Sequence, residues 1–141
     1  MRVALDTNVL LSGAAKPNES VGLIVQAFVN GQYELVTGTF QLAEFRRVSR
    51  YPRVRKILPA VRAGFLMNRM LQTALIVDPL EPVDASPDPD DNVIIAVALA
   101  GNAEFLVSGD GRHITLLKKV GTLRIVTVQQ AVKLLELKPR G

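Results

Sequence analysis

Three observations predict a single three-layer α/β/α domain with a central, mostly parallel five-stranded sheet. Short β-branched runs alternate with helical patterns along the chain, the arrangement expected when parallel strands are joined by right-handed helical crossovers. The first run, Arg2-Val3-Ala4-Leu5, is apolar at consecutive positions, as in a strand buried on both faces. The length of 141 residues suits one domain spanning 1–141 with a core of its own.

The elements follow in order. After the first strand, Ser20 opens a helix that runs to about Asn30, with Gly31 placed as its left-handed terminator. Tyr33 to Val36 reads as the second strand. Thr39 is expected to cap a helix that turns Phe40, Ala43 and Val48 to the core and is stopped or bent at Pro52. From Arg53 to about Ala74 the spacing of Val54, Ile57, Leu58, Val61, Phe65 and Leu66 is helical, with Pro59 dividing it into two pieces. Leu75 to Val77 is a third strand, and the prolines at 79, 82, 87 and 89 make Asp78 to Pro89 a loop. A helix from Asp90 to Ala100 follows, closed by Gly101, and its run Val93 to Val97 predicts deep burial. Phe105 to Val107 is the fourth strand, His113 to Lys118 a short helix, and Arg124 to Val128 the fifth strand. Thr127 and Gln130 stand at capping-box spacing before a last helix to Leu137.

Composition narrows the chemistry. With 48% hydrophobic and 21% charged residues, the chain is a folding sequence rather than a disordered one. Cys is absent and His113 is the single histidine, which excludes disulfides, thiol nucleophiles and multi-His metal sites. No apolar run reaches the roughly 18 residues of a membrane span, and the opening MRVALDTNVL turns polar too soon for a signal peptide. A cytoplasmic location is expected. The net charge of +4 is unevenly spread: Phe45 to Val77 holds Arg46, Arg47, Arg50, Arg53, Arg55, Lys56, Arg62 and Arg69 with no acid. Such a stretch either binds a polyanion, releasing its counterions, or is a solvated helix face.

In a parallel sheet, ligands gather beyond the carboxyl ends of the strands where strand order reverses. Asp6 follows the first strand and Asp110 the fourth; Glu44 lies one and a half turns into a helix, and Asp88, Asp90 and Asp91 crowd the start of another. Each has an ordinary explanation as a cap, a turn or an ion pair. Together they repel in a low-dielectric cleft unless a cation is present. Oxygen ligands without thiolate select Mg²⁺ or Mn²⁺, and a carboxylate-held divalent pair can activate water against a phosphodiester. A haloacid-dehalogenase-type phosphatase would need an acid where Asn8 stands, a Walker loop is missing around Gly109 and Gly111, and a receiver-like domain would place an acidic neighbour beside Asp6.

The ordered set Leu5-Asp6-Thr7-Asn8-Val9-Leu10, Gln41-Leu42-Ala43-Glu44, Asp88-Pro89-Asp90-Asp91-Asn92 and Leu106-Val107-Ser108-Gly109-Asp110 resembles the PIN (PilT N-terminal) domain family, from about Arg2 to Val128. The pattern looks closest to the VapC-like toxins of toxin-antitoxin systems. The resemblance implies an Mg²⁺- or Mn²⁺-dependent ribonuclease with catalytic and metal-ligating positions at Asp6, Glu44, Asp91 and Asp110. It implies Asn8, Ser108 and Asp88 as supporting residues, and leaves open which of Asp88, Asp90 and Asp91 meets the metal. Related sequences often carry an acid where this chain has Asn92 and a Lys-Asp-Leu type sequence where it has Gly111-Arg112-His113. Arg46, Arg47, Arg50, Arg53 and Arg55 are the candidate RNA contacts. The expected partners are RNA, a cognate antitoxin protein and a second copy of the chain, paired through apolar residues left over on the helical stretch Val54 to Leu71. The alternative is a non-catalytic RNA-binding module that kept the fold.

Overall fold

The computed structural model describes residues 1–109, 114 and 117–138. The chain runs β1 (Arg2–Leu5), α1 (Thr7–Ala15), α2 (Ser20–Val29), β2 (Glu34–Thr37), α3 (Thr39–Ser49), α4 (Pro52–Arg55), α5 (Ala60–Thr73) and β3 (Leu75–Ile76). It continues through α6 (Pro89–Ala100), β4 (Phe105–Ser108), β5 (Lys119–Val120), β6 (Leu123–Thr127) and α7 (Val128–Leu134). The strands form one sheet in the order β3-β2-β1-β4-β6-β5, parallel except for β5. Strand order reverses at β1: the chain first builds outward through β2 and β3, then returns to place β4 against the other side of β1.

Alternate residues of the strands divide the core between two faces, as a pleated sheet requires. Val3, Leu5, Leu35, Phe105, Val107 and Val126 pack against α1, α2, α3, α5 and α7. Ala4, Val36, Leu106 and Ile125 pack against α6, with Ile114 closing the same layer. The α/β/α class therefore stands, with most helices on one face.

Several local expectations change. The sheet has six strands rather than five, because Lys119–Val120 pairs antiparallel with β6 across a two-residue turn. Gly121 opens that turn at φ 58°, a value that a tight hairpin requires and glycine adopts without strain. Helix α1 is not foreseen by periodicity, since VLLSGAA is apolar almost throughout and the helix is buried nearly all round. In α3 the N-cap is Gly38, and Phe40 and Ala43 face outward while Gln41 and Phe45 are buried. The inward face is thus offset from the one that apolarity alone suggests, because Gln41 is drawn in by hydrogen bonds described below. Val93 and Ile94 are only half-buried; full burial begins at Ile95. The last helix ends at Leu134 rather than Leu137, with the capping box of Thr127 and Gln130 formed. The expected helix from His113 to Lys118 lies largely outside the described residues.

The basic stretch also separates into two populations. Arg69 Nη2 donates to Val29 O at 2.7 Å and Arg62 Nη1 approaches Ala14 O and Ala15 O at 3.4 Å. These guanidiniums sit at the carboxyl ends of α2 and α1, where a cation is favoured by unpaired carbonyls and the helix dipole. Two of the eight positive charges thus serve the packing of α5 on α1 and α2. On α5, Ala63, Leu66, Met67 and Met70 are buried, whereas Ile57 before it and Val61, Phe65 and Leu71 on it are exposed.

Two glycines give opposite expectations for the same substitution. A Cβ at Gly13 would lie 2.2 Å from Val25 Cγ2 and 2.7 Å from Val21 O, whereas one at Gly64, inside α5, would meet nothing within 4 Å. Gly13→Ala should lower stability by roughly 1–3 kcal/mol, as overpacking does. Gly64→Ala should raise it by about 0.5–1 kcal/mol through helix propensity. Urea unfolding of the two variants beside the parent checks both signs.

Candidate active site

Two sides of the site hang on the carboxyl ends of β1, β2 and β4. Asp6 leaves β1 with its amide donating to Val107 O at 2.9 Å, so the strand pairing continues one residue into the crevice. The same residue caps α1, its Oδ1 accepting from the Asn8 amide at 3.1 Å. Its Oδ2 accepts from the fully buried Ser108 Oγ at 3.0 Å. A carboxylate held between a strand end and a helix N-terminus is fixed in direction and stabilised by the helix dipole. Backbone pairing and helix capping therefore aim this side chain without any bound group.

Glu44 reaches the crevice because α3 is fastened to the strand ends by Gln41. Gln41 Nε2 donates to Leu5 O, and Gln41 Oε1 accepts from Thr37 Oγ1 at 2.7 Å. A polar side chain in a buried position is retained only when its hydrogen bonds are met, and here both sides of the amide are used. Glu44, three residues on, shares that helix face and is half-buried at the cleft. Gln41 is a site residue that the sequence argument quotes but gives no role; the signal was a lone amide one turn before an acid.

On the third side, the N-terminus of α6 is built by a web of local bonds. Asp88 caps the helix, accepting from the Asp90 amide at 3.0 Å, with Pro89 in the first turn. Asn92 Oδ1 accepts from the amides of Ala85 and Ser86 at 3.0 and 2.8 Å, and its Nδ2 donates to Ser86 O at 2.9 Å. Asn92 thus clamps the proline-rich loop to the helix, a task needing donor and acceptor together, which a carboxylate could not perform. Ser86 is buried and donates to Asp91 Oδ2 at 2.9 Å. Asp91 is itself buried in the first turn.

These elements enclose a cleft of about 310 Å³. Asp6, Asn8, Glu44, Asp88 and Asp90 line it, with Thr7 and Gln41 between them, and Phe40, Val93 and Ile94 supply apolar wall. Asp110 follows Ser108-Gly109 directly in sequence but lies outside the described residues. Of the candidate arginines, Arg46, Arg47 and Arg50 line a separate groove along α3 with Tyr51, Arg55 lies in a groove beside it, and Arg53 is exposed on α4. Outside the cleft, the Thr39 hydroxyl and then its amide, bonded to Asp78 Oδ1 at 2.7 and 3.1 Å, hold the Asp78 carboxyl below its ordinary pKa.

The donor set suits a hard divalent cation. Among the described residues the one salt bridge is Arg2–Glu34, at the opposite end of β1, so Glu44, Asp88 and Asp90 line the cleft with no cationic side chain of those residues paired to them. Also among the described residues, no three acids approach closely enough to cage an ion. The fit to Mg²⁺ or Mn²⁺ lies in the chemistry of the donors, which are carboxylate and amide oxygens with no thiolate or imidazole among them.

The sequence model of the family described as PIN domain matches residues 2–112, most of the chain and all three walls of this cleft. The chain belongs to the PIN domain family. PIN domains are generally nucleases, and those nucleases typically use divalent metal ions. No curated protein and no solved structure gives a significant match. Among the described residues of this PIN domain, no helix is long and apolar enough to cross a membrane.

Replacing Asn92 by Asp should therefore weaken rather than enrich the site. The Nδ2 donor is lost and a charge is added beside Asp91, so stability should fall by about 1–3 kcal/mol. Limited proteolysis should show earlier cutting within residues 79–88. Unchanged stability and proteolysis would contradict the clamp.

Proposed function

We propose that this PIN domain is an Mg²⁺- or Mn²⁺-dependent endoribonuclease, the toxin of a cytoplasmic toxin-antitoxin pair. The observation that carries the nuclease reading is the acid-lined cleft at the β1/β4 switch point, with Asp6 pre-aimed by Ser108 and the Asn8 amide. The metal would be held by Asp6, Glu44, Asp91 and Asp110, with Asp88 and Asp90, which line the cleft in front of the Ser86-bonded Asp91, as the other carboxylates of the α6 N-terminus. When bound, it supplies Lewis-acid stabilisation of phosphate charge and a water of lowered pKa. Asn8 offers an amide to a phosphate oxygen, and Val93, Ile94 and Phe40 limit water on one side.

The substrate reading comes from α3, which carries Glu44 toward the cleft and Arg46, Arg47 and Arg50 toward a second groove on another side of the same helix. A strand of RNA laid along that helix would meet guanidiniums at its backbone and acids at one phosphate. Arg53 and Arg55 extend the positive surface beyond the helix end. Such contacts give register and affinity without reading sequence, and Tyr51 in the same groove offers a ring for a base.

The partner reading rests on Ile57, Val61 and Phe65, four residues apart and 56, 86 and 56% exposed. A stripe of this kind on a small domain marks a partner site, and a second copy of the same helix meets it in a self-complementary way. The antitoxin would compete for, or cover, the rim of that stripe and the arginine groove.

Asp6→Asn preserves shape and removes a charged ligand, so hydrolysis of RNA with Mn²⁺ should fall at least 100-fold while circular dichroism stays unchanged. A folded Asp6→Asn protein with full, chelator-sensitive activity would reject the site.

For assembly, sedimentation at micromolar concentration should give twice the 15.3 kDa chain mass, and Phe65→Glu should return it to one chain without loss of helix. Met70 is unsuitable for this test because it is fully buried. A parent protein that sediments as one chain at every concentration rejects the dimer.

A further inference from the structure

Phe40 is the least expected side chain at the site: an aromatic ring in the first turn of α3, 48% exposed. It belongs to two hollows at once. One is the acid-lined cleft; the other is a shallow pocket of about 550 Å³ between the N-terminus of α3 and the proline-rich loop. Val93 and Val97 are shared in the same way, so the two hollows are neighbours divided by one apolar wall. The second pocket is walled by Pro79, Leu80, Pro82 and Pro89, and Leu80 is 96% exposed. Leu80 and the proline rings thus leave apolar surface exposed over a floor of buried Ala96 and Val97, a hollow of the kind that marks a binding site.

Charge excludes a phosphate there. Among the described residues no Lys or Arg lines the pocket, while Asp78 and Glu81 do, and Asp78 is tied in place by both Thr39 bonds. The loop is fixed from its other end by Asn92, so the pocket is preformed. A strand whose phosphate lies at the acidic cleft can send an adjacent nucleoside over Phe40, the shared wall, and of that nucleoside the base suits an apolar, anionic-rimmed hollow. Stacking on an aromatic ring is tolerant of base identity, and the carboxylates at the rim accept hydrogen bonds from amino groups of a base.

We propose that this pocket seats a nucleobase of single-stranded RNA, stacked on Phe40, next to the nucleotide whose phosphate is cut. The proposal rests on the ribonuclease reading above and adds to it the substrate group that the wall of the cleft binds. Phe40 is a binding residue in this account and touches no reacting atom.

The chain contains no Trp, so Phe40→Trp introduces a single reporter ring. In an Asp6→Asn background, which prevents turnover, an unlabelled hexamer of oligoadenylate should quench that emission in step with binding followed by calorimetry. The same hexamer with one abasic position should bind roughly one to two orders of magnitude more weakly, and Phe40→Leu should weaken the intact hexamer similarly. Binding with unchanged emission, an abasic hexamer bound as tightly as the intact one, or no binding at all would overturn the base seat. So would quenching produced only by an added peptide, since the pocket would then be a protein-docking surface. The two readings fail separately: RNA cleavage by the parent without quenching in Phe40→Trp removes the base seat alone. Quenching by RNA that the parent does not cut removes the nuclease reading alone.

Discussion

The single hydrogen bond from the Asp6 amide to Val107 O fixes more of this protein than any packed side chain. It extends the β1–β4 ladder past the end of the strands and so aligns two loops that are about a hundred residues apart in sequence. From that alignment follow the Ser108 bond to the Asp6 carboxylate, the immediate start of α1, and the position of the crevice itself. The parallel topology makes this possible, because all strand ends that matter point the same way. Gln41 repeats the device on the neighbouring strand pair, reading one backbone carbonyl of β1 and one hydroxyl of β2. Acids are therefore positioned by groups that are satisfied before any ligand arrives, the form of preorganisation that an electrostatic site needs.

Much of this was legible in the sequence, for reasons that differ by element. β1 and β4 are consecutive apolar runs and could be read as strands buried on both faces. The loop from Asp78 declared itself through its prolines, and the capping box at Thr127 through spacing alone. Helix α1 was not legible because a helix buried all round has no amphipathic period, and β5 was not because two residues carry no period at all. The orientation of α3 failed for a physical reason: apolarity favoured Phe40 inward, but Gln41 has partners inside and Phe40 has none. The acids were legible as residues collected at strand ends. Their roles were less so, since Asp91 stands behind Ser86 while Asp88 and Asp90 line the cleft.

The arginine-rich stretch teaches a similar caution about charge counting. Read as sequence it is one block, yet its members answer to different demands. Arg62 and Arg69 turn back onto helix ends, while Arg46, Arg47 and Arg50 follow the outer edge of α3. Substitutions in the first pair act on folding and in the second on surface potential. The electrostatic footprint offered to a polyanion is consequently narrower than the block, and it lies on a different side of α3 from the acidic cleft.

Among the described residues, α6 is the one α-helix that packs on its face of the sheet, and its two ends are linked through that packing. At its carboxyl terminus Gly101 lies so close to β2 that a Cβ would come within 2.3 Å of Val36 Cγ1, and Gly101 O accepts from Arg2 at 3.2 Å. At its amino terminus, about 18 Å away at 1.5 Å per residue, stand Asp88, Asp90 and Asp91. Packed against the sheet as one rod, α6 would have to be pushed along or away from it by an added methyl at position 101. The acids at the far end would move with it. Position 101 is thereby subject to the demands of the cleft at the full length of a helix, as the butt of a lever is subject to what its tip must touch.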